Sequence, residues 1–234
     1  MHRVQSNSSA EYNAGRLGFI AYLNFAISRL AFDLNNVIFA PLQIRVKYVR
    51  VDAEIGLLDA ARFVPTAHCS ARPALLPIDM IVLHGISLPP GQFGSNDIEK
   101  FFLGELDPSA HPYFETIKDL KVSAHLFINR EGEISQFVPF NLRAHHAGVS
   151  HFQGRENCND FSIGIELEGT DDVAYTKIQY ECLAQVINAL RKAYPDISRD
   201  RIVGHSDIAP GRKTDPGHLF AWSLLDCLLL AYSA

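Results

Sequence analysis

The sequence predicts a single α/β domain: a central mixed β-sheet flanked by helices. Three features carry this expectation. Phe161–Leu167 (FSIGIEL) alternates with the period of a strand, Ile163, Ile165 and Leu167 on one face and Ser162, Gly164 and Glu166 on the other. Thr176–Tyr194 instead repeats its apolar residues with a helical period, through Ile178, Leu183, Val186, Ile187 and Leu190. Further short apolar runs mix with helical stretches along the chain, and no internal repeat is visible. At 234 residues, one sizeable domain is the natural reading.

In chain order, Ile55–Val64 (IGLLDAARFV) predicts a short helix. Ile78–Leu83 follows Pro77 as a buried strand ending at His84. Ser87–Gly94 (SLPPGQFG) predicts a loop, because prolines and glycines punctuate it, and Asn96–Leu103 a helix. Val122–Asn129 and Ile134–Val138 read as a hairpin around NREGE. For the long helix, Thr176 and Gln179 have capping-box spacing and Pro195 supplies the stop. Arg201–Gly204 reads as a short strand delivering His205, and Leu219–Tyr232 as a last apolar helix.

The N-terminus stands apart. Leu17–Phe32 is apolar, but Arg29 and Asp33 interrupt it short of the ~20 residues a membrane span needs. A secretory signal fits poorly, with Glu11 in its lead and no A-x-A site behind it. Residues 1–51 are therefore expected to be an appendage, an amphipathic helix or extension without catalytic part, and 52–234 the working domain. A net charge of −5 gives no reason to expect nucleic acid as a partner, since such binding rests on neutralising phosphates. Cys69, Cys158, Cys182 and Cys227 lack paired spacing and read as free thiols of a reducing compartment.

The chemistry concentrates at strand ends. His84 and His205 both terminate predicted strands, where side chains leave the core while the backbone stays rigid. Asp215 follows in GHSDIAPGRKTDPG, a segment whose prolines and glycines bend it back towards His205. Two imidazoles and a carboxylate can hold a catalytic zinc ion. Spacing alone leaves that reading and a purely structural one both open. Glu166, on the polar face of its strand, could be a proton carrier or part of a solvated edge. Lys213, two positions before Asp215, would then hang over the metal site and steady an oxyanion. Arg212 either anchors the loop or binds a substrate carboxylate. His125 reads as a packed strand histidine. His145, His146 and His151 form a loop cluster expected to touch substrate or solvent, and His111 and His218 read as incidental. Cys158 has no activating partner in sequence.

Longer motifs narrow the choice. HGISLPPGQFG at His84, DPSAHPYF at Asp107, VSAHLFINREGEISQFVPF at Val122 and HAGVSHFQGRENCNDFSIGIELEGTD at His146 make the chain resemble the zinc-dependent type 2 N-acetylmuramoyl-L-alanine amidases, relatives of the peptidoglycan recognition proteins. The likeness runs from about Gly56 to about Trp222. It implies that fold for the domain, Zn²⁺ as cofactor, and His84, His205 and Asp215 as its ligands. It further implies Glu166 as base, Lys213 as the group that stabilises negative charge, and a muropeptide as substrate. The bond cut would join the lactyl group of N-acetylmuramic acid to L-alanine of the stem peptide. The members resembled act in cytoplasmic cell-wall recycling and prefer the 1,6-anhydro sugar. A cytoplasmic monomer is therefore expected, periplasmic instead if the N-terminal extension is a signal.

Three departures stand out. His145 replaces a tryptophan of those members, Gly85 an asparagine next to the first ligand, and residues 1–51 have no counterpart. Gly85, His145, His146 and Arg212 are the expected substrate contacts. Two other readings compete. A non-catalytic muropeptide-binding module of the same fold would have lost ligands, which this chain retains. A non-haem iron oxygenase would use the same donor set, yet nothing here points to an oxoacid cosubstrate. Ser87–Gly94 and the segment around Asp107–Phe114 are expected to wall the cleft as irregular, movable loops.

Overall fold

The structure, a computed structural model, describes residues 49–232. The expectations for Leu17–Phe32 and for most of the N-terminal appendage lie outside the described residues. Among these, no helix is long and apolar enough to cross a membrane.

The first half of the described chain runs β1 (Val51–Asp52), β2 (Leu57–Leu58), β3 (Arg62–Phe63), β4 (Cys69–Ala71), β5 (Met80–Ile86), α1 (Asp97–Leu103) and α2 (Pro112–Ile117). Then come β6 (Leu126–Ile128), β7 (Ile134–Gln136), β8 (Leu142–Ala144), β9 (His151–Phe152), β10 (Arg155–Glu156) and β11 (Ser162–Glu168). The last part is α3 (Lys177–Ala193), β12 (Ile202–Gly204), α4 (His205–Ile208) and α5 (Trp222–Ala231). Six strands form a mixed sheet in the order β12-β5-β11-β6-β7-β3. Strands β12, β5, β11 and β6 run parallel, and the β6–β7 pair is the antiparallel hairpin.

The sheet's two faces differ in chemistry. On one, Ile81, Leu83, Ile163, Ile165 and Leu167 bury against Leu183, Val186, Ile187 and Leu190 of α3 and Leu225 and Leu229 of α5. Burying side chains of this size contributes roughly 1.5–3 kcal/mol each, which is why the long helix lies where it does. Its start is held by the predicted capping box: the Thr176 hydroxyl accepts from Gln179 N, and the Gln179 side chain accepts from Thr176 N. On the other face Met80 and Val82 pack with Ala147, Cys158, Phe161, Val203 and Ile208. That face turns polar towards the strand ends, where His84 lies beside Glu166 in register.

One predicted element is overturned. Ile55–Val64 contains no helix; it is a tight turn followed by two short strands. Gly56 sits at φ +73°, and a Cβ there would lie 2.8 Å from Phe140 N, so the chain must turn and pack closely at this point. Gln136 then takes over both backbone groups, its Oε1 accepting from Leu58 N and its Nε2 donating to Gly56 O. Arg62–Phe63 add as a parallel edge to β7. Long-range pairing outweighs local helical preference here.

Two smaller differences concern the cleft walls. The strand that starts near Ile78 continues past His84 to Ile86. The stretch after Asp107 is not irregular throughout: α2 begins at Pro112, with the His111 ring accepting from Tyr113 N, and Phe114 is buried in the core under α1. His111 is therefore a helix cap rather than an incidental residue.

Candidate active site

Parallel pairing brings the predicted chemistry together. Gly204 pairs with Leu83, so His205 begins α4 at the level of His84 on the neighbouring strand. Glu166 pairs directly with His84 from the other side. The loop after α4 is folded back by a set of backbone ties. Ser206 N donates to Asp215 O at 3.0 Å, Lys213 N to Ala209 O at 3.1 Å and Gly217 N to Thr214 O at 3.0 Å. The buried Tyr175 hydroxyl closes the set by donating to Pro216 O at 2.9 Å. Asp215 is thereby pressed against both histidines.

Three donor atoms converge. His84 Nδ1 and His205 Nδ1 are 3.0 Å apart, and each lies 3.1 Å from Asp215 Oδ2. Among the described residues these three form a group able to hold a metal ion. Tetrahedral zinc with bonds of about 2.0–2.1 Å separates its ligands by roughly 3.3 Å, close to this triangle. The donor chemistry fits as well. His205 Nε2 lies 3.0 Å from Ala147 O, an acceptor only, so this nitrogen carries the ring proton. Its Nδ1 therefore presents a lone pair to a carboxylate oxygen and a second imidazole. Electron pairs converging in this way call for a cation between them. Burial lowers the His84 pKa to about 4, which keeps that ring neutral and able to donate electrons.

These residues lie at the polar end of a cleft of about 340 Å³. Its lining includes His84, Gly85, Glu166, His205, Lys213 and Asp215, with Leu88, Phe101, Tyr113 and Ile117 on the apolar side. Glu166 is not on a solvated edge, because β11 is the third strand of six. Its Oε2 is buried without a hydrogen-bond partner. Burial raises its pKa well above the usual carboxylate value, the nearby Asp215 charge raises it further, and Lys213 opposes both.

The predicted substrate contacts divide. Gly85 and His145 line the cleft, and His145 Nε2 is 3.1 Å from Ser70 Oγ. A Cβ at Gly85 would come 2.3 Å from the Tyr175 hydroxyl, so an asparagine could not stand here without displacing that ring. His146 touches the cleft but is buried, with Nδ1 2.9 Å from His84 Nε2. Arg212 lies outside the cleft lining; its guanidinium donates to Ala147 O and Val149 O at 2.7 Å each. It anchors the loop that carries Asp215. His151 is exposed, and His125 is packed as predicted but stands just before β6 rather than within a strand, its Nδ1 accepting from Gly164 N. Cys158 is buried, and burial pushes its thiol pKa up, away from nucleophilic chemistry.

Sequence reasoning missed three supporting residues. Ser162 backs His146, Tyr175 holds the segment after Asp215, and Glu168 ties down the loop after His84. Ser162 and Glu168 left a signal, through their alternation with Glu166 on the polar face of one strand; Tyr175 left none.

Comparison with known proteins places the chain. A family model described as N-acetylmuramoyl-L-alanine amidase matches residues 74–218. The 1,6-anhydro-N-acetylmuramyl-L-alanine amidase AmpD of Escherichia coli (strain K12) is 57% identical over 170 residues, covering 73% of this chain and 92% of the relative. AmpD of Haemophilus influenzae is 53% identical over 171 residues, covering 73% and 93%. A crystal structure of a selenomethionine AmpD derivative superposes with a TM-score of 0.74 at 55% identity, covering 76% of this chain and 98% of that one. The converging histidines and aspartate, the buried glutamate and this agreement along nearly the whole length of its relatives lead to one conclusion: the chain belongs to the N-acetylmuramoyl-L-alanine amidase family.

Proposed function

We propose that residues 52–234 form a zinc amidase that cuts the amide between N-acetylmuramic acid, in its 1,6-anhydro form, and L-alanine of a muropeptide. The reading places it in cell-wall recycling in the cytoplasm, with residues 1–51 as an appendage. The observation that carries it is the convergence of His84 Nδ1, His205 Nδ1 and Asp215 Oδ2 within 3.0–3.1 Å of one another beside Glu166. Both curated relatives described above carry the 1,6-anhydro substrate in their names.

His84, His205 and Asp215 would hold the ion. Zinc in such a site lowers the pKa of bound water to about 7 and polarises the carbonyl under attack. Glu166 takes the proton from the attacking water and returns it to the alanine nitrogen as the C–N bond breaks. Its raised pKa suits that role, because a carboxylate of higher pKa is a stronger base. The Lys213 ammonium lines the same cleft and offsets the negative charge that grows on the carbonyl oxygen. Tyr175 and Arg212 hold the ligand-bearing loop in register. Apolar side chains, among them Leu88, Phe101 and Ile117, line the same cleft and offer apolar surface to the substrate.

The test is release of L-alanyl peptide from anhydro- and reducing-sugar muropeptides, with metal content measured alongside. Chelation should abolish hydrolysis and stoichiometric zinc restore it. Equal rates from metal-free and zinc-loaded protein would end this reading.

A further inference from the structure

His146 lies in the motif HHAGVSH and reaches the edge of the cleft, yet it is buried and its ring packs against His84. Three contacts fix it there. His146 N donates to Asn159 Oδ1 at 3.0 Å, which pins the backbone. The ring lies over Gly164, where a Cβ would come 2.4 Å from His146 Cγ, so this strand position must be bare. Beyond the ring, Ser162 Oγ is 3.2 Å from His146 Nε2.

Proton counting gives this arrangement a direction. Ser162 has one hydroxyl proton, and it goes to Cys158 O at 2.6 Å. Towards His146 the hydroxyl can then only accept, so His146 Nε2 carries the ring proton. In the neutral ring Nδ1 is left with its lone pair, 2.9 Å from His84 Nε2. It accepts the His84 Nε2 proton, and His84 Nδ1 is bare, facing His205 Nδ1 and Asp215 Oδ2. The chain Cys158 O, Ser162, His146, His84 thus sets which nitrogen of His84 is free to bind a cation. Metal-bound histidines commonly donate their second N–H to a carboxylate or a carbonyl. Here another imidazole takes that place.

We propose that His146 is a positioning residue for His84, locking its ring orientation and its Nδ1-bare tautomer, rather than a substrate contact. The inference rests on the reading of His84 as a zinc ligand, and two measurements separate the two claims. Zinc affinity is measured by competition with a chromophoric chelator for the parent, His146→Leu and His146→Asn. The leucine variant should bind zinc roughly 10- to 100-fold more weakly. The asparagine variant, whose Oδ1 can stand where Nδ1 stood, should recover most of that loss. Imidazole ¹⁵N NMR of the metal-free parent should show His84 protonated at Nε2 only, and this needs no variant to fold. A parent that binds no zinc overturns the metal reading and this one with it. A parent that binds zinc while His146→Leu holds it equally well, or whose His84 carries its proton on Nδ1, overturns the role of His146 alone.

Discussion

At Glu166, burial and the Asp215 carboxylate both push the pKa upward, and Lys213 alone pulls it down. A carboxyl raised in this way is a stronger base than one in water, and the Lys213 ammonium favours its ionised form. Glu166→Gln removes the proton acceptor but keeps the shape. Its kcat should fall by roughly 10²–10⁴-fold with zinc content unchanged, as measured by steady-state kinetics and metal analysis. On the proposed mechanism, Lys213→Met should lower kcat by roughly 10²–10³-fold through loss of the oxyanion partner. It should also leave a signature in pH. Without Lys213 the Glu166 pKa rises further, and activity needs the ionised form, so the acid limb of the kcat/KM profile should move to higher pH. A limb that stays in place would separate Lys213 from Glu166.

Among the elements, β11 does the most. Three of its four polar-face residues serve the site directly: Ser162 orients His146, Gly164 makes room for that ring, and Glu166 faces the cleft. Glu168 then extends the strand's influence to a loop. It is 1% exposed, and its oxygens accept from Gly94 N at 2.5 Å and Arg130 N at 3.2 Å. Gly94 ends the loop whose Ser87, Leu88 and Pro90 line the cleft. Replacing Glu168 by alanine leaves two backbone donors without their acceptor, at a cost of about 1–3 kcal/mol each where they stay buried. The loop should loosen, raising KM for muropeptide severalfold or more while kcat changes less, because the reacting groups stand on other segments. Unchanged KM in a folded Glu168→Ala protein would mean that the wall holds itself.

For the whole molecule, the buried histidines link stability to acidity. Burial lowers His84 to about 4 and holds His125 and His146 well below 6.5. Each is neutral when folded, while the unfolded chain takes up protons below about 6.5, so the unfolded state binds more protons as pH falls. The histidines therefore contribute stability to the metal-free protein that is full above about pH 6.5 and drops towards pH 4, while Glu166, with its raised folded-state pKa, works in the opposite direction. His84 alone accounts for roughly 3 kcal/mol over that interval, since each pKa unit corresponds to ~1.4 kcal/mol. Urea midpoints at pH 7, 6 and 5 check this, and a flat series would contradict the neutral core. Bound zinc should raise the midpoint at neutral pH by mass action and steepen the acid decline, because protons compete for its ligands.

Local pattern was enough for much of this protein. The alternation of Phe161–Leu167, the helical stripe and cap of Thr176–Tyr194 and the hairpin around Gly132 are all legible in neighbouring residues, because period and capping are short-range properties. Strand-end placement singled out His84 and His205, and the prolines and glycines around Asp215 marked a rigid turn. What the sequence could not reveal depended on partners far along the chain. The helix expected at Ile55–Val64 yields to Gln136, 78 positions from Leu58. Glu166 could be read as part of a solvated edge until β6 and β5 closed on both sides of its strand. His146 looked like a surface contact until the fold placed it against His84, 62 positions away. Burial and the direction of a shared proton belong to the set of neighbours a side chain acquires on folding, and only the tertiary structure decided them.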